Sequence, residues 1–200
     1  MTVYTIDGLV PVVDPEAFVH PQASLIGDVI VAAGCYVGPG ASLRGDFGRI
    51  IVGAGSNVQD NCILHAFPGK DTLLEQAAHI GHGAVLHGCT VRHGALIGIG
   101  AIVMDDAVVE EEAIVGAASF VPAAFVVPRR SLVTGVPARV VRNLKPEEIA
   151  WKAEGTREYQ ELARRCLASF RECQPLTAPE PDRRHFAGST AVPLHTIPRK

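Results

Sequence analysis

The chain has 200 residues and a net charge of −3, which gives no basic field for binding nucleic acid. Hydrophobic residues make up 48% and aromatics only 6%, so one domain is expected, with a core too narrow for large rings. No apolar run reaches the roughly 18 residues of a membrane span, and the start lacks a signal peptide's regions, so a cytoplasmic protein is expected.

Residues 1–18 read as a lead-in strand and turn. From Val19 a six-residue rhythm sets in: Val19, Leu25, Val31, Val37 and Leu43, then Val52, Val58 and Leu64, then Ile80 and Leu86. Ile97, Val103, Val109, Val115, Val121, Val127 and Val133 then run without a break. Four residues after most anchors stands something small, such as Ala23, Ser56, Cys62, Ala84 or Ala107. A period of six matches neither a helix nor simple strand alternation. It predicts an all-β solenoid, a parallel β-helix whose hexapeptides build the three sides of a prism. Gly follows several anchors directly (Gly38, Gly53, Gly81, Gly98, Gly116), where a corner is expected to need its freedom.

The repeat covers about 19–140, within a solenoid domain spanning 1–144. Residues 65–79 interrupt it and are expected to leave the prism as a loop. A C-terminal helix is expected over 145–173, entered at Pro146 with Glu147 and Glu148 at its positive end. Ile149, Tyr159, Leu162, Ala163, Cys166 and Phe170 would form its apolar stripe. Residues 174–200 carry five prolines and read as an extended tail. The five cysteines include no CxxC pair and read as reduced thiols.

His65 follows anchor Leu64 and His87 follows anchor Leu86. The anchors are 22 residues apart, one coil of about 18 plus an insertion of four. If the loop absorbs the four, both imidazoles stack on one face, roughly 4.8 Å apart. Arg44 follows Leu43 and would head the same column. His82 falls on another face, so a second prism would have to bring it to the other two, and a threefold ring would make three such sites. Three imidazoles suit Zn²⁺ or a similar divalent ion, with a fourth position open. Separate solvated histidines are the other reading.

Arg44-Gly45-Asp46, then Asn57-Val58-Gln59-Asp60-Asn61 leading to His65, Ile80-Gly81-His82 and Leu86-His87-Gly88 resemble the γ-class carbonic anhydrase family over roughly residues 10–172. The resemblance implies a homotrimer of left-handed β-helices with metal (Zn²⁺, or another divalent ion such as Fe²⁺ or Co²⁺) at the subunit interfaces. It implies that His65, His82 and His87 are the ligands, with His82 from the adjacent chain. Gln59 would contact the metal-bound water, Asn57 would line the site, and Tyr159 would reach it from the helix. Arg44, Asp46 and Asp60 would form an inter-subunit ion network.

Within the family, Tyr4-x-Ile6-Asp7-Gly8-Leu9 and Gly155-Thr156-x-Glu158-Tyr159-Gln160 resemble the subgroup encoded with phenylacetate-degradation genes, and a carnitine-metabolism relative is similar. The subgroup implies a thioesterase that hydrolyses ring-modified phenylacetyl-CoA through metal-bound hydroxide. Phe47 departs from the acidic residue of strongly active carbonic anhydrases and suits an acyl pocket, or plain interface packing. Hydration of CO₂ to bicarbonate, CoA-dependent acyl transfer and a non-enzymatic scaffold remain alternatives.

Overall fold

In the computed structural model, which describes residues 1–185, 189, 192, 193 and 196, the hexapeptides wind into a left-handed parallel β-solenoid. Its third side stacks seven parallel strands, from Phe18–Val19 through Asn57–Val58 and His79–Ile80 to Ser131–Gly135. The other two sides belong to one continuous sheet, because Ser24–Val31 and Ser42–Val52 each run around a corner and serve both. The first side carries Ile63–His65, Val85–His87, Ile102–Val103 and Phe120–Val121. The second carries Thr72–Leu74, Thr90–Val91, Val108–Val109 and Val126–Val127.

The anchors fill the axis. Leu25, Leu43, Leu64, Ile80, Leu86 and Ile97 are fully buried, as are the small residues Ala23, Cys62, Ala84 and Ala101. Burying each Leu or Ile contributes about 1.5–3 kcal/mol, so the axis accounts for much of the fold's stability. Cys35, Cys62 and Cys89 occupy the small positions as free thiols, and burial pushes their pKa values up to about 11, 11 and 12.

Two expectations are corrected. Residues 65–79 do not all leave the prism. Thr72–Leu74 pairs with both Ile50–Val52 and Thr90–Val91, and Leu74 is a buried anchor six residues before Ile80. Only residues 66–71 stand off the coil. The glycines that directly follow anchors are not the left-handed ones either. Gly53, Gly81 and Gly98 are needed because the next coil's backbone passes close to where a Cβ would stand. The left-handed residues sit three after the anchor: Gly94, Gly100, Asp106, Glu112, Ala118, Ala124 and Arg130, one every six residues.

The last solenoid strand turns back as Ala138–Asn143, which pairs antiparallel with Ser131–Gly135 at the edge of the third side. Arg142 from this strand pairs with Glu148 through two contacts of 2.7 Å, and Glu148 also accepts from the Lys145 backbone at 2.9 Å. These contacts seat the first turn of helix Pro146–Ser169. The helix lies along the third side. Ala163 is buried beside Phe18 and Tyr36, and Gln160 donates to the Gly55 carbonyl at 3.0 Å. Lys152 and Thr156, outside the expected stripe, are also buried, with Lys152 capping the Ala77 carbonyl at 2.8 Å. Phe170 stays half-exposed against Phe18 and His20. The tail expected over 174–200 lies partly outside the described residues.

A left-handed φ on a residue with a Cβ costs roughly 1–2 kcal/mol. Ala124, exposed with φ +57°, is therefore expected to gain about 1 kcal/mol, or roughly 2–4 °C in Tm, on Ala124→Gly. A thermal melt of the variant against wild type checks this; an unchanged or lower Tm would mean that the corner carries no strain.

Candidate metal centre

The solenoid register brings two of the three candidate ligands together. His65 and His87 are Cα partners on adjacent strands of the first side. Each follows a buried leucine, so each must point outward. His65 Nδ1 and His87 Nε2 stand 3.1 Å apart. The opposite ring nitrogens are held by carboxylates: His65 Nε2 by Asp46 Oδ1 at 3.1 Å, and His87 Nδ1 by Asp105 Oδ1 at 2.7 Å. Arg44 in turn holds Asp46 at 2.8 Å. Burial pushes the Asp46 carboxyl up, but the bonds from Arg44 and His65 outweigh it and hold the group below its ordinary range. Burial lowers the His65 pKa from its ordinary value, which disfavours the protonated ring. Gly88 matters here: its φ is +56°, and a Cβ there would collide with the Asp105 carboxylate that orients His87.

Asp105 escaped the sequence reading, although it stands 18 residues after His87 and the repeat alone places it one coil away. His82 does not join the pair within the chain. It sits half-exposed beyond the third side, its Nδ1 2.8 Å from Asp60 Oδ2. Among the described residues, no group of three or more His, Cys, Asp or Glu in this one chain is arranged to hold a metal ion.

Gln59, Asn57 and Tyr159 form a separate group on the third side, organised by His79. Gln59 Nε2 lies 2.9 Å from Asn57 Oδ1 and 2.7 Å from His79 Nε2. Asn57 Nδ2 is 3.2 Å from His79 Nδ1, with Thr156 Oγ1 3.4 Å away. Tyr159 packs against His79 and Tyr36, each at 5.4 Å between ring centroids. Burial pushes the Tyr159 hydroxyl up to about 12, so it stays protonated at neutral pH. Cys89 lies near His87 in sequence but is buried, with a pKa of about 12, which removes it as a nucleophile. No signal short of the register would have singled out His79 among the eight histidines.

Burial lowers the His79 pKa from 6.5 to about 3. A depressed folded-state value means that its contribution to stability is present above pH 6.5 and is lost as pH falls from 6.5 towards 3. Urea melts across that range should show wild type losing about 1.4 kcal/mol per pH unit relative to His79→Gln. Parallel pH profiles would mean that the ring titrates freely in the fold.

No family model matches the chain. The carnitine operon protein CaiE of Escherichia coli (strain IAI39) is 54% identical over 192 residues, covering 96% of this chain and 98% of its own. That of Citrobacter koseri matches at the same identity and coverage. Among solved structures, a Bacillus cereus protein described as a candidate acetyltransferase is 32% identical, with a TM-score of 0.82 over 84% of this chain and 97% of its own. A hexapeptide transferase family protein from Anaplasma phagocytophilum is 36% identical, with a TM-score of 0.79 over 82% of this chain and 96% of its own. At more than half identity along nearly its whole length, this chain belongs to the family of the carnitine operon protein CaiE, built on the hexapeptide-repeat left-handed β-helix.

Proposed function

We propose that the chain is a metal-dependent hydrolase of acyl-CoA thioesters, with a site shared between adjacent copies of a homotrimer. His65 and His87 of one copy and His82 of the next would hold a divalent ion, Zn²⁺, Fe²⁺ or Co²⁺. The observation that carries this reading is the imidazole pair 3.1 Å apart with a carboxylate behind each ring. Two nitrogens bound tetrahedrally to Zn²⁺ stand roughly 3.3 Å apart, given Zn–N bonds of about 2.0–2.1 Å. Carboxylates on the far nitrogens are the usual support of ligand histidines, and His82 has the same arrangement with Asp60.

A bound divalent ion would generate a nucleophile from water near neutral pH and polarise the thioester carbonyl. The chain's own residues do the rest. Asp46, Asp60 and Asp105 fix ring orientation and tautomer. Gln59 Nε2 is committed to Asn57 and His79, which leaves its Oε1 to accept a hydrogen bond from the attacking water and so orient it. The CoA thiolate leaves without an added acid, since a thiol is acidic enough to depart as the anion.

Two other readings have support. CoA-dependent acyl transfer is favoured by the two transferase-type structural relatives. CO₂ hydration would use the same three imidazoles, but Phe47 beside His65 offers no proton relay.

The test is thiol release from a panel of acyl-CoAs, both arylacetyl and hydroxyacyl, measured beside CO₂ hydration and acyl transfer to amines on metal-analysed protein. Thioester cleavage should require the ion and be lost in His82→Ala. Mixing His82→Ala with His87→Ala subunits should restore part of it, because a mixed trimer regains an intact site. Asp105→Asn should weaken metal affinity by about 10–100-fold. Cleavage that survives chelation and His82→Ala would overturn the assignment.

A further inference from the structure

The imidazole pair opens between two phenyl rings. Phe47 lies 5.5 Å from His65, and Phe67 meets His87 edge-on at 4.9 Å, both between ring centroids. Both phenyl rings are more than half exposed, at 57% and 56%. Single exposed apolar residues are ordinary, but two flanking one polar pair offer an apolar surface to whatever binds there.

Phe67 is held in place. Its loop, residues 66–71, is tied at every side. Thr72 Oγ1 donates to the His65 carbonyl at 2.6 Å and accepts from Gly88 N at 2.9 Å. Asp71 accepts from Arg49 N at 3.2 Å, and Lys70 pairs with Asp106 at 2.6 Å. The bare Cα of Gly48 lets the Lys70 carbonyl approach, since a Cβ there would overlap it. Phe47 is fixed in strand Ser42–Val52. The nearby carboxylates Asp46 and Asp105 are already committed to the imidazoles and Arg44 is paired with Asp46, so the rings set the character of the mouth.

Resting on the hydrolase reading above, the geometry points to Phe47 and Phe67 as the walls that select the acyl group. They favour an uncharged, apolar chain or ring, held with its thioester carbonyl against the His65–His87 pair. Phe67 is the new element, because it comes from a segment that the repeat does not specify.

The probes are CoA thioethers, which cannot be hydrolysed, carrying methyl, hexyl, phenylethyl or trimethylammonioethyl groups. Binding is measured by titration calorimetry on the intact metal-loaded protein, with oligomeric state followed by light scattering. Hexyl and phenylethyl thioethers should bind at least about 10-fold more tightly than methyl. Phe67→Ala and Phe47→Ala should each remove most of that advantage while methyl binding holds, and Phe67→Leu should keep the hexyl preference. The inference is overturned if wild type shows no apolar preference, if the preference survives both alanine variants, or if the cationic probe binds best. It is also overturned if the variants weaken all probes alike and dissociate the oligomer, which would make the rings a contact between copies. Thiol release separates the two ideas. Apolar preference without hydrolysis sinks the hydrolase reading alone, and hydrolysis indifferent to Phe47 and Phe67 sinks this one alone.

Discussion

The prism axis has room for one large aliphatic group and one small residue from each hexapeptide, and the rest of the molecule is arranged around that restriction. It dictates the alternation of anchors such as Leu64 and Leu86 with small partners such as Cys62 and Ala84. It keeps the strands short and flat, and it stacks each coil on the last at one strand spacing. Residues one coil apart are therefore neighbours whatever their chemistry. His87 bonds to Asp105, 18 residues on, and His65 faces His87 across 22 because residues 66–71 absorb the difference. The core's demand for register is what places the polar groups outside it.

The polar groups are organised as carboxylate–imidazole pairs. Asp46 with His65, Asp105 with His87 and Asp60 with His82 each settle which ring nitrogen faces outward. A buried neutral imidazole, His79, does the corresponding work for Gln59. Each of these rings is oriented by a partner on the rigid solenoid, so a ligand bound there would find little left to order. The first side and the third side of one prism nonetheless face different ways, so the His65–His87 pair and His82 stand on separate surfaces of the chain.

Most of this was legible in the sequence because the repeat is a metric. The anchors from Leu25 to Val133 and the His65–His87 column follow from counting, and Asp105 would have followed from counting one coil further. Leu74 was missed because the insertion hides the rhythm for a few residues, although it stands six before Ile80. The packing of the helix was less readable. Lys152 and Thr156 are buried polar residues that close on a coil corner and on His79, and a search for an apolar stripe passes over them. Phe67 was invisible for a different reason: a loop outside the lattice has no register, and only its tethers show where its ring goes.

The returning strand Ala138–Asn143 has a consequence at the scale of assemblies. A stack of parallel coils has no natural length, since its last strands offer the same unsatisfied amides and carbonyls that each earlier coil used to recruit the next. By running antiparallel, Ala138–Asn143 occupies that edge on one side and carries the exposed Arg139. A second molecule arriving end-on meets the wrong strand direction and the charge of Arg139. This brake on fibre growth follows from reversing one strand of the chain.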